Sequence, residues 1–292
     1  MNKKDMLSVV MRARGYHLYT QKGDRLLDMY LNNGALIFGH NPESQVRKLK
    51  NLLSRGLVTS LPSILGKRLK QSLANILPAH SYFGIANSVE DALSVVSQKF
   101  GIRRSVSVID PLTNVSWSSA TVAWWRPLSN SQPIGGAWLL DGPPLLFHKL
   151  PFRIGAGPIT WSARKDKRLY VKNAINENIN DQYLFGADIT PGFLIAGVID
   201  AIERLIKVKK DYNSIASKIW DQTPMGWQRD GVYLSPMFSS AQYKKLYTKF
   251  LSEGVLINPN KHQPTIIPPK LTEGEISLIN WLFNSFSLIE KS

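Results

Sequence analysis

Residues 15–41 read G-Y-H-L-Y-T-Q-K-G-D-R-L-L-D-M-Y-L-N-N-G-A-L-I-F-G-H-N and are followed by Pro42. Apolar and polar residues alternate over 16–19 and over 25–30, on either side of Gln21-Lys22-Gly23-Asp24. Two such runs about a Lys-Gly-Asp turn predict a β-hairpin. A glycine-bearing segment then ends in Gly39-His40-Asn41-Pro42, and a helical pattern starts behind it.

Upstream, residues 1–14 set Lys3, Lys4, Arg12 and Arg14 around Met6, Leu7, Val9, Val10 and Met11, a pattern suited to a short amphipathic arm lying on a partner. Downstream, apolar spacing predicts helices over 43–54 and 64–77, the second closed by Pro78. A short apolar strand over 82–86 precedes Asn87-Ser88, which caps a helix over 89–100. Further strands are expected at 105–109, 121–125, 138–140 and 159–163, with a short apolar run at 145–147 and a polar loop at 173–181. A long helix fills 191–207, and the remainder reads as a strand at 231–235, a helix at 241–252 and a closing helix at 271–283. There are no internal repeats.

A chain of 292 residues with 43% hydrophobic residues can bury a large core in one or two domains. The formal charge of +15 favours anionic partners. Its lysines and arginines are nevertheless scattered, with clusters only at 47–50, 67–70, 164–168 and 207–210, which read as solvated helix faces rather than a nucleic-acid footprint. Cysteine is absent, which excludes disulfides, thiolate metal sites and a cysteine nucleophile. The N-terminus has no apolar signal region and no apolar run reaches the length of a membrane span, so a cytoplasmic protein is expected.

The 15–42 stretch resembles the N-terminal signature of the class III aminotransferases, pyridoxal-phosphate enzymes of the glutamate-1-semialdehyde and acetylornithine type. Ala13, Gly15, Leu18, Tyr19, Gly23, Arg25, Leu27, Asp28, Gly34, Gly39, His40 and Val46 fall in step with it. At the other end, Glu253-Gly254-Val255-Leu256-Ile257-Asn258-Pro259 is similar to the family's l-x-e-x-G-V-y-l-x-P, and the 191–207 helix resembles the one that leads into the small domain. The resemblance implies an α/β, fold-type-I transferase-like architecture: a reduced large domain with a mixed sheet and helices at 46–205, and an α+β small domain at 206–292 joined by the arm and hairpin of 1–45. It also implies a homodimer. The chain is shorter than the family by well over a hundred residues, so pieces of the catalytic domain are missing.

Such an enzyme needs a lysine for the Schiff base, an acid on the pyridine nitrogen, a helix N-terminus for the phosphate and an aromatic face on the ring. By resemblance Lys149, at the end of an apolar run and ahead of Gly155-Ala156-Gly157-Pro158, is the lysine. A strict count back from those glycines instead reaches Phe152 or Arg153, and Lys149 also reads as an ordinary exposed lysine. Asp141, after the apolar 137–140, is the matching acid, or equally a turn residue before Pro143. The phosphate site corresponds to Ser88-Val89-Glu90-Asp91-Ala92, where valine and glutamate replace the family's glycine and threonine. Glu90 and Asp91 suit the helix dipole but repel a dianion. Thr190 stands near the position of a phosphate-binding threonine, with Ala187 in the strict register. Trp117 could stack on a ring. His40 belongs to a structural Gly-His turn, whereas His17, His80, His148 and His262 have no metal or triad spacing.

These residues define two opposed expectations. One is transamination of a small amino-acid-like substrate, with Lys149 and Asp141 acting on pyridoxal 5'-phosphate. The other is a degenerate homologue that retains the dimeric scaffold for binding and has lost the cofactor. A third, weaker reading is an anion-binding protein using the basic surface.

Overall fold

The computed structural model describes residues 8–40, 43–60, 63–100, 108–110, 112, 122–131, 145–148, 150, 158–164, 184–186, 189–219 and 223–289. In chain order the elements are β1 (Val10–Arg14), β2 (His17–Thr20), β3 (Arg25–Asp28), α1 (Glu43–Ser54), α2 (Ile64–Ile76), β4 (Tyr82–Ala86), α3 (Val89–Phe100), β5 (Val122–Trp125), β6 (Leu145–His148) and β7 (Ile159–Ala163). There follow α4 (Gly192–Ile219), β8 (Trp227–Asp230), β9 (Tyr233–Pro236), α5 (Ser240–Ser252), β10 (Val255–Leu256), β11 (Thr265–Ile266) and α6 (Glu273–Ile289). They divide into two compact units, one of residues 1–42, 128–130 and 208–292, the other of 43–127 and 131–207.

The first unit is built from both chain ends. Its larger sheet has the order β1-β2-β3-β10, antiparallel through the hairpin and then parallel where Val255 and Leu256 pair with Leu27 and Asp28. The expected hairpin is therefore present, and a C-terminal strand completes its sheet. Of the arm expected over 1–14, residues 10–14 form an edge strand whose backbone groups are satisfied by the ladder with β2, and residues 1–7 lie outside the described residues. β11, β9 and β8 form a second antiparallel sheet. Trp227 sits edge-on to Phe283, Phe238 and Tyr243, with ring centroids 5.2, 5.7 and 6.3 Å away, the geometry that aromatic quadrupoles favour. Asp230 accepts hydrogen bonds from Ser129 Oγ and the Asn130 amide, which ties 128–130 into this unit.

Gly15 and His40 bridge through their backbones, so the two ends of the quoted stretch meet. A Cβ on Gly39, at φ +81, would stand 2.6 Å from the Gly15 carbonyl oxygen, which restricts this turn to glycine.

The second unit holds a sheet of order β4-β7-β6-β5 in which β4, β6 and β5 run parallel and β7 is antiparallel to both its neighbours. Parallel single bridges extend it at both sides, Phe185 beside Gly84 and Ile109 beside Ala123. Every residue of β4 and β6 is buried, the continuous apolar pattern expected where both faces of a sheet are covered. On one face Tyr82, Leu145, Phe147, Trp161 and Ala163 form a core with Ala92 and Val96 of α3. The helix expected over 191–207 continues to Ile219. Among the described residues no helix is long and apolar enough to cross a membrane. The expected strand at 138–140, the loop at 173–181 and residues 105–107 lie outside the described residues.

Candidate functional site

Because β4, β5 and β6 are parallel, their carboxyl ends open on one edge of the sheet, the edge at which open α/β sheets bind ligands. Ser88 and α3 follow β4, Arg126 follows β5, and His148 ends β6 directly before Lys149. Lys149 and Asp141, together with Trp117, Phe152, Arg153 and Ala187, lie outside the described residues.

Ser88 is the helix cap. Its Oγ accepts from the Asp91 amide at 3.0 Å and its carbonyl from the Ala92 amide at 3.1 Å. Val89 packs on the core under α3 rather than opening the glycine gap that a close phosphate requires. Glu90 and Asp91 are both exposed in the first helical turn. Thr190 is fully buried, and its Oγ1 donates at 2.8 Å to the carbonyl of Gly186.

Pyridoxal phosphate would bring a dianion to this turn. The helix dipole would attract it by about 0.3–1 kcal/mol, whereas each pair of unit like charges about 4 Å apart repels by about 1 kcal/mol even in water. Glu90 and Asp91, both exposed in the same turn, oppose that attraction. Ser88 keeps an O–H to offer, but the Thr190 proton is committed within the chain. The described residues at this edge therefore do not fit the cofactor's phosphate.

The strand beside β6 ends not in an open carboxylate but in a closed ion pair. Arg126 is fully buried, its Nε 3.1 Å from both carboxylate oxygens of Asp110, and Asp110 follows the parallel bridge at Ile109. Removing either partner would leave a buried charge uncompensated, so the pair fixes the end of the sheet in place.

Behind this edge lies a polar cluster buried in the sheet. Ser162 Oγ stands 2.6 Å from His80 Nδ1 and 2.7 Å from His148 Nε2, and His148 Nδ1 is 3.0 Å from Thr160 Oγ1. Ser162 can give its single proton to only one imidazole, so the other ring donates to its oxygen. Trp125 covers His148 edge-on at 5.5 Å. Burial first, and the His80 charge second, hold the His148 pKa well below its usual 6.5, so the ring is neutral.

Neither polar group is evident from sequence spacing. Asp110 and Arg126 each follow a short apolar run, a usable signal for a charge at a strand end, but their pairing requires knowing which strands are neighbours. His80 and His148 lie far apart in the chain and meet only because β4 and β6 both flank β7. In the first unit the expected role of His40 is confirmed: its Nε2 is 2.8 Å from Asp28 Oδ2.

The fold this edge belongs to is that of the pyridoxal-phosphate-dependent aminotransferases, the α/β fold-type-I architecture. An omega-transaminase from Sphaerobacter thermophilus superposes with a TM-score of 0.62 over 95% of this chain and 90% of its own, at 13% identity. Ornithine delta-aminotransferase from Plasmodium falciparum gives 0.65 over 96% and 92% at 12% identity, and a glutamate-1-semialdehyde aminomutase from Pseudomonas aeruginosa gives 0.62 over 96% and 87%, also at 12%. By sequence, the chain is 26% identical to an uncharacterized protein of Treponema pallidum over 89% of this chain and 88% of that one. Glutamate-1-semialdehyde 2,1-aminomutase of Saccharolobus islandicus is 34% identical over 83 residues, 28% of this chain and 20% of that one. No protein-family model matches the sequence.

Proposed function

We propose that this chain is a non-catalytic member of the class III aminotransferase lineage, a dimeric binding or scaffold protein that uses the transaminase fold without pyridoxal phosphate. The observation that carries this reading is the acidic first turn of α3, where Ser88 serves as a cap and Glu90 and Asp91 stand exposed in the segment that resembles the family's phosphate site. The closed Asp110–Arg126 pair and the committed Thr190 hydroxyl support it. Self-association is supported by the edge strand β1, whose Val9 and Met11 flank are 63% and 69% exposed, apolar surface of the kind a partner covers.

The test is to incubate the full chain with pyridoxal phosphate, reduce with borohydride and map the labelled peptides. Label spread over surface lysines with no saturable visible band is expected. Stoichiometric label confined to Lys149 would overturn the reading and favour the opposite one, transamination of an amino-acid-like substrate by Lys149 with Asp141 on the pyridine nitrogen.

A further inference from the structure

Away from the sheet edge, α1, α2 and the first half of α4 enclose a groove of about 270 Å³, near the lower end of the roughly 300–1,000 Å³ typical of small-molecule sites. Its floor is apolar, with Leu49, Leu52, Leu65 and Ala196. The acidic groups that line it are already matched. Lys48 Nζ is 2.6 Å from Asp200 Oδ1 and 3.4 Å from Glu203 Oε2, and Arg204 Nε donates to Asp200 Oδ2 at 2.7 Å.

Four polar side chains of the groove, Gln45, Asn51, Arg55 and Arg68, have no partner among the described residues. Arg55 and Arg68 are exposed on its rim, and neither forms an ion pair among the described residues. Gln45 is 2% exposed and lines the groove, yet its buried Oε1 accepts no hydrogen bond. A buried amide oxygen left without a donor is destabilising, so a ligand that supplies one relieves that cost.

We propose that this groove binds a small amphipathic carboxylate. Its apolar body lies on the leucine floor, its carboxylate sits between Arg55 and Arg68, and a hydroxyl or amide N–H part-way along donates to Gln45. Apolar area supplies the affinity, the arginines select the sign of charge, and Gln45 selects the donor.

The experiment is calorimetric titration of the full chain with 3-hydroxydecanoate, decanoate and decyltrimethylammonium below their micelle concentrations. 3-Hydroxydecanoate is expected to bind more tightly than decanoate, and the cation not at all. Arg55→Glu with Arg68→Glu, both on exposed positions and checked for an unchanged circular-dichroism spectrum, is expected to weaken both carboxylates at least tenfold. Gln45→Met is expected to erase the difference between the hydroxylated and plain acids while leaving decanoate affinity within about twofold. Binding of the cation as tightly as the acids, or unchanged affinity in the double arginine variant, would overturn the proposal. So would absence of acid binding, and a sedimentation-measured dimer that the arginine variant dissociates would then show the groove to be covered by a second copy of the chain.

Discussion

Asp28 shows how much one carboxylate of the N-terminal stretch organises. Its Oδ1 accepts from the amides of Tyr30 and Leu31 at 2.9 Å each, and its Oδ2 meets His40 at 2.8 Å. Directly after it Leu31, Asn32 and Asn33 all adopt positive φ, between 44° and 56°. Such residues cost of order 1–3 kcal/mol each and persist only when their surroundings hold them. Asp28→Ala would strand two amides and release that run, so we expect a loss of about 3 kcal/mol, read as a lower urea midpoint. A pH dependence of stability near neutrality follows from His148. Its folded pKa lies well below 6.5 because of burial, so as pH falls the unfolded chain takes up the proton first. Stability is full above about 6.5 and declines below it, with a slope approaching about 1.4 kcal/mol per pH unit until the folded pKa is reached. Urea midpoints at pH 7.5 and 5.5 should differ accordingly, and His148→Gln should flatten the difference. The same scale separates what the sequence discloses from what it hides. Asp28 and His40 are legible because the partners lie within one short motif, whereas the Ser162 hydroxyl shared by His80 and His148 is a property of strand neighbours. The acidic turn on which the proposed loss of the cofactor rests is legible too, since Glu90 and Asp91 are visible as letters. It follows that Val89→Gly with Glu90→Thr should raise affinity for pyridoxal phosphate at least tenfold over the natural chain, measured by absorbance titration; no gain would remove the acidic turn as the reason the cofactor is excluded.

At the scale of elements, a cap fixes where a helix starts, whereas an amphipathic run alone leaves the choice of element open. α5 begins where Ser239 accepts from the Gln242 amide and the Gln242 side chain returns to the Ser239 amide, a reciprocal box that fixes its start. Ser239→Ala should therefore cost about 1 kcal/mol, seen as a lower thermal midpoint with unchanged helix content. For residues 9–14 the same apolar letters fit a helix stripe or an edge strand, and the decision came from β2, which no local rule includes. The extension of α4 beyond 207 has a similar cause. Lys207, Lys209 and Lys210 resemble a helix end, yet basic residues interrupt nothing, and no glycine or proline occurs between 198 and 219. In β4, Gly84 faces Trp161 so closely that a Cβ would lie 2.2 Å from the indole.

The first unit closes on itself through strands drawn from opposite ends of the chain. The Leu27 amide donates to the Gly254 carbonyl and the Met29 amide to the Leu256 carbonyl, while the Ile266 amide donates to Met29, each at 2.8 Å. The buried side chains of the C-terminal segment, among them Val255, Ile257 and Ile266, lie around a backbone ladder that only the N-terminal hairpin completes. Pairing across such a sequence separation carries a loop-closure cost that the local sheet of β8, β9 and β11 avoids, so β10 cannot acquire its ladder early or alone. A chain lacking residues 1–42 should consequently lose the fold of 223–289 as well. Limited proteolysis should then cleave within 231–266, and Trp227 emission should shift to that of an exposed indole, whereas the full chain resists cleavage there. Adding a synthetic peptide of residues 8–40 should restore protection, because β3 supplies the partner of β10 in parallel register whether or not it is covalently attached. If the truncated chain keeps Trp227 buried and 231–266 protected without the peptide, the first unit does not depend on joining its two ends.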